Sequence, residues 1–264
     1  MSAELVRLKK LSILADELTS SGKIEASRNK IIDGLELAIE IEEQPYFYFF
    51  QGELNYLDEH LLAAVEYYRV ASELEPRSPF ILRGLGVAYS KQNCVRKAIA
   101  IFDRASKMNP YDHRLWRQKG VTLSKMKEFD KALKCFDRAI KLDANDYHSY
   151  RQRGVTLINA GQYEEAIYMF SKTLLLNPND FRALYEKGKA LNYAGHGAEA
   201  LRAHSLSVEI EKRVTHVPSR ESLLARIKMN RIRKNQIRIL GEFRSAIQEE
   251  SIPLFKKRST HLAK

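Results

Sequence analysis

Residues 113–146, HRLWRQKGVTLSKMKEFDKALKCFDRAIKLDAND, hold two apolar-periodic segments, 115–126 and 129–142, parted by a short polar break at Lys127 and Glu128. Each segment spans about three helical turns, with apolar residues three and four apart, the spacing of a helix that buries one face. Gly120, Ala132 and Phe136 mark close approach and bulk within this unit, and Trp116 precedes the glycine by four residues.

The unit recurs in both directions. Glycines stand at Gly52, Gly86, Gly120, Gly154 and Gly188, each 34 residues after the last. Twelve residues beyond them are Ala64, Ala98, Ala132, Ala166 and Ala200, and sixteen beyond are Tyr68, Phe102, Phe136, Phe170 and His204. The small residues mark where the two helices of a pair approach closely, and the aromatic residues are expected to fill gaps between pairs. Pro76, Pro110 and Pro178 end second helices, while Ser78, Asp112, Asp146 and Asp180 are suited to cap the first helices that follow. One such pair cannot bury its apolar face alone, so successive pairs must stack into a solenoid.

These columns resemble the tetratricopeptide repeat family, whose pattern runs W-x2-L-G-x2-Y, then A, F, A and P. The resemblance implies an all-α, right-handed α-solenoid of helix-turn-helix repeats. Five repeats fall at 45–78, 79–112, 113–146, 147–180 and 181–214, after a degenerate helical pair at 1–44 with its break at Ser20-Ser21-Gly22. The fifth, with Gly197, His204 and Ser207, is expected to pack more loosely. A basic amphipathic segment at 215–250 reads as a C-terminal capping helix, and 251–264 as a flexible basic tail. Where the pattern asks for Leu before the glycine stand Gln51, Lys119, Arg153 and Lys187, whose stems are expected to lie along the core with their polar ends in solvent.

Composition narrows the function. No stretch approaches the roughly 20 apolar residues of a membrane span, and residues 1–18 lack a secretory pattern, so a cytoplasmic protein is expected. Two cysteines, Cys94 and Cys135, make no disulfide framework or metal set, and the seven histidines show no ligand spacing. Phosphate-loop, H-E-x-x-H, G-x-S-x-G and C-x-x-C motifs are missing. The expectation is a chain that is not an enzyme, with no cofactor and no metal.

The net charge of +11 is uneven: residues 1–78 carry 8 basic and 15 acidic residues, and residues 215–264 carry 12 and 4. The resemblance places the first helix of each pair along a concave groove. Three residues before the glycines this gives Phe49, Arg83, Arg117, Arg151 and Tyr185, and one after them Glu53, Val87, Val121, Val155 and Lys189; six before are Tyr46, Phe80, Arg114, His148 and Arg182. Arginines recurring every 8–10 Å suit carboxylates, and the valines suit apolar side chains between them. The expected function is therefore a scaffold or adaptor, chaperone-like, holding an acidic, partly apolar segment of a partner protein. The bland alternative is that these arginines are a solvated inner face. The runner-up is a nucleic-acid binder using the basic groove and the basic helix with Arg226, Arg231, Arg233, Lys234 and Arg238. That helix also suits self-association with the acidic end of another copy. The basic part of the groove offers few aromatic platforms for stacking bases.

Overall fold

In the computed structural model, which describes residues 3–215, twelve α-helices and no strands are present among the described residues. They are α1 (Ala3–Ser20), α2 (Ile24–Glu40), α3 (Gln44–Leu57), α4 (Leu61–Leu74), α5 (Pro79–Lys91) and α6 (Val95–Met108), followed by α7 (His113–Lys125), α8 (Phe129–Leu142), α9 (Tyr147–Asn159), α10 (Tyr163–Leu176), α11 (Phe181–Tyr193) and α12 (Gly197–Thr215). Each helix packs on the next, and the odd-numbered helices from α3 to α11 also touch one another. This is an all-α solenoid of stacked hairpins. The basic C-terminal helix and tail expected from the sequence lie outside the described residues.

The packing inside each hairpin explains the strongest columns. A Cβ added to Gly52 would come within 2.7 Å of the Tyr68 ring, and at Gly86, Gly120 and Gly154 it would meet Phe102, Phe136 and Phe170 at 2.7, 2.9 and 2.8 Å. The aromatic residues therefore sit over the glycine of their own pair. They also reach the following pair, as expected: a Cβ on Gly84 would lie 2.7 Å from the Tyr68 ring, and Phe170 clusters with Ala183 and Ala190. All four rings are buried, as are Ala64, Ala98, Ala132 and Ala166. In the fifth repeat His204 takes the aromatic place over Gly188, and its Nδ1 is buried without a hydrogen-bond partner.

The turn inside each hairpin also repeats. Glu59, Asn93, Lys127, Gly161 and Gly195, 34 residues apart, all have positive φ. Each ends its helix in the left-handed conformation, and the next amide reaches back to a carbonyl one turn earlier, as Glu128 N does to Leu123 O at 3.1 Å. Only glycine adopts that conformation without strain, so Glu59, Asn93 and Lys127 are held there by the hairpin around them. At the N-termini, Ser78, Asp112 and Asp180 accept from Ile81 N, Arg114 N and Ala183 N. Asp146 makes no such bond, because its carboxylate is engaged elsewhere.

Glycine to alanine inside a helix ordinarily gains about 1 kcal/mol in helix propensity. Gly120→Ala should reverse that sign and lose about 1–2 kcal/mol, because its methyl overlaps the Phe136 ring. Urea denaturation of the full chain checks the direction.

Candidate functional site: a concave cleft closed by the N-terminal hairpin

The first helices converge on a cleft of about 250 Å³. Arg83, Val87, Arg117, Gln118, Val121, Arg151, Gln152 and Arg182 line it from α5, α7, α9 and α11, and Asp16, Thr19 and Glu53 from α1 and α3. The expected arginines are therefore at the concave wall, but they are not free. Each is at most 8% exposed and holds a carboxylate of this same chain.

The partners follow a rule. Arg117 Nη1 donates to both oxygens of Asp146, at 2.7 and 2.8 Å, and Arg151 Nη1 donates to Asp180 Oδ2 at 2.7 Å. In both cases the aspartate lies 29 residues further on, at the start of the next repeat. Asp180 thus both caps its own helix and anchors the preceding repeat, whereas Asp146 serves only as the anchor. Arg83 breaks the rule: its Nη1 donates to Asp16 Oδ2 at 2.8 Å, while Asp112, the residue 29 positions on, faces Arg114 at 3.3 Å. Burial alone would raise the acids, yet the guanidinium groups win. Asp16 and Asp146 are held below the usual carboxylate range, mainly by Arg83 and Arg117 respectively.

These pairs correct the picture of three unoccupied guanidinium rungs. Arg114 lies outside the cleft lining and is turned to Asp112. Phe49 is buried, 4.2 Å from the ring centroid of Phe80, and is interior packing, while Phe80 is half-buried beneath Arg83 and lies outside the cleft lining. Val87 and Val121 line the cleft, whereas Val155 packs against the cluster around Leu157 and Phe170. Lys119 and Arg153 pair with Asp103 and Asp137.

Of what remains available, Arg182 stands in the groove-facing column read from the sequence, whereas two glutamines were not among the residues expected to bind. Gln118 and Gln152, 34 residues apart, present side-chain amides to the cleft. Arg182 faces it with no carboxylate in ion-pair range among the described residues. The column of Arg114, His148 and Arg182 held the signal, but only coordinates show which member keeps an unneutralised charge. His148 itself is buried between Arg117 and Arg151; burial, then those two charges, push its pKa down to about 3, so it is neutral.

The cleft is closed on its open side by the N-terminal hairpin. Ser21 Oγ lies 3.1 Å from Tyr147 Oη, and a Cβ on Gly22 would sit 3.5 Å from Arg182 Nη2. The turn between α1 and α2 therefore meets α9 and α11, four and five helical pairs further along the chain.

Two family models, each described as tetratricopeptide repeat, match residues 113–146 and 135–168. Residues 113–168 are therefore tetratricopeptide repeats. Its fold is similar to a solved structure described as MamA, with 20% identity, a TM-score of 0.54, and coverage of 63% of this chain and 97% of that one. It is also similar to MamA 41-end from Desulfovibrio magneticus RS-1, with 20% identity, a TM-score of 0.55, and coverage of 66% and 98%. At that identity the likeness is one of fold. No curated protein matches the chain by sequence. No helix among the described residues is long and apolar enough to cross a membrane.

Among the titratable groups that line the cleft, Glu53 is the one whose pKa is brought near neutrality. Glu53 accepts a hydrogen bond from Tyr68 Oη at 2.7 Å, and burial, assisted by Asp16, pushes its pKa up to about 7 against the bond from Tyr68 and the charge of Arg83. The folded state then holds the proton more tightly than the unfolded chain. The stability that goes with the protonated acid is present below pH 4.5 and is lost as pH rises through about 7. Glu53→Gln keeps an acceptor for Tyr68 and removes the titration. It should leave stability at pH 4.5 nearly unchanged and raise it at pH 8 by about 1–2 kcal/mol. Denaturant midpoints at the two pH values check this.

Proposed function

We propose that this tetratricopeptide-repeat chain is a protein-interaction scaffold that holds a short segment of a partner protein in the concave cleft. The observation that carries the reading is the set of cleft groups left over after internal pairing: the amides of Gln118 and Gln152, the apolar surface of Val87 and Val121, and the guanidinium of Arg182. Side-chain amides can both donate to and accept from a peptide backbone, and they stand on neighbouring first helices, whose axes are about 8–10 Å apart. Beside them, the valines take an apolar side chain. Arg182 takes a carboxylate through a bidentate fork. The acidic, partly apolar partner inferred from the sequence is kept, with its anchor moved from Arg83, Arg117 and Arg151 to Arg182.

The charge balance of the cleft favours protein over nucleic acid. Arg83, Arg117 and Arg151 are matched one for one by Asp16, Asp146 and Asp180, which leaves a single unmatched arginine in the lining. A phosphate backbone is bound by many cations at once.

A panel of synthetic peptides carrying one Glu or Asp beside a Leu or Val tests the reading by fluorescence anisotropy, with lysine-substituted copies and single-stranded RNA as the other arms. Acidic-apolar peptides should bind more tightly than their lysine copies. Arg182→Ala should weaken them about tenfold, the range of one charge-assisted bond, and Arg182→Lys should restore part of the loss. Equal binding by both variants and the wild type, or RNA outcompeting every peptide, would contradict the proposal.

A further inference from the structure

The departure of Arg83 from the pairing rule has a functional meaning. Arg117 and Arg151 are each tied to the aspartate 29 residues ahead, inside the solenoid of repeats. Arg83 has the same kind of aspartate in the same place, Asp112, yet donates to Asp16 on the N-terminal hairpin. Asp112 is already within the electrostatic reach of Arg83, which is the foremost charge holding its carboxyl below the ordinary range against burial. Arg83 therefore stands between two carboxylates, one belonging to the repeats and one to the hairpin.

We propose that the α1–α2 hairpin is a releasable latch over the concave cleft, and that Arg83 exchanges Asp16 for Asp112 when the latch opens. Three further observations point the same way. At its tip the hairpin touches the far wall only lightly: one exposed hydroxyl contact from Ser21 to Tyr147, and the approach of Gly22 to Arg182. Arg182, the cleft's unmatched cation, is thus the group that the tip partly covers. The hairpin is internally tied, with Ser27 Oγ donating to Ala15 O at 2.8 Å and Thr19 Oγ1 lying 2.6 Å from Ser27 Oγ, so α1, the turn and the start of α2 move together. Finally, the hairpin supplies Asp16 and Thr19 to the lining, so a segment lying along the cleft meets the hairpin as well as the repeats.

The energetic logic favours release at this rung and not at the others. Breaking a buried pair by removing one partner leaves an uncompensated charge, which is strongly destabilising. When the hairpin leaves, Arg117 keeps Asp146 and Arg151 keeps Asp180, and Arg83 has Asp112 within its electrostatic reach to take the place of Asp16. The latch governs access to the cleft described above, but its test needs no ligand, so it can fail while the binding assignment stands, and the reverse.

The test uses the full chain with Cys94 and Cys135 replaced by alanine and nitroxide labels on Lys23→Cys and Asn179→Cys, both exposed positions on the two sides of the closure. Pulsed electron-resonance distances should show a dominant short population in this parent. Asp16→Asn should raise the ratio of long to short distances about tenfold or more, the worth of a hydrogen bond to a charged group. In urea, Asp16→Asn combined with Asp112→Asn should lower the denaturation midpoint by more than the two single changes added together, because only the double variant leaves Arg83 without a carboxylate. An unchanged distance distribution in Asp16→Asn would overturn the latch. So would loss of amide protection throughout α1 and α2 in that variant, since the pair would then be an ordinary structural tie. Additive midpoints would overturn the exchange.

Discussion

An arginine on the first helix of one repeat reaching the aspartate that opens the next repeat is the contact on which the concave wall depends. Hairpin stacking alone would hold the repeats together through apolar area, which is indifferent to small rotations. A guanidinium donating to both oxygens of Asp146 is not indifferent: it fixes direction as well as distance. Because both groups are buried, the tie is costly to break from one side, and it recurs at Arg151 and Asp180. The same pairs decide what the wall can bind, since they cancel charge that would otherwise face a partner.

The architecture was legible because its causes are local. Gly120 must be small under the Phe136 ring, Ala132 must be small where two helices cross, and both needs recur in each of the five repeats. Period and residue type therefore carried the solenoid. The left-handed turn was only half legible: Gly161 and Gly195 announce it, but Glu59, Asn93 and Lys127 occupy the same position against their own preference.

The site was harder to read, for a physical reason. The arginine and aspartate columns are both plain in the sequence, 29 residues apart, but a helix cap explains Asp146 and Asp180 well enough that a second role does not suggest itself. Which way a guanidinium turns depends on the offset between stacked hairpins, a tertiary quantity. Asp16 was still more hidden, because it lies in the one hairpin that lacks the repeat's landmarks and meets Arg83 across 67 residues of chain. Phe49 was assigned to an open surface because nothing local shows that the rings of Phe50, Tyr68 and Phe80 enclose it.

A double-mutant cycle on Arg117 and Asp146 measures the central contact most directly. Arg117→Ala, Asp146→Ala and the double variant are compared by urea denaturation of the full chain. Each single change should lose about 3 kcal/mol or more, and the double should lose clearly less than the sum, with a coupling of about 1.5–3 kcal/mol. Additive losses with no coupling would mean that apolar stacking alone aligns the repeats, and that the buried ion pairs do not set the geometry of the concave wall.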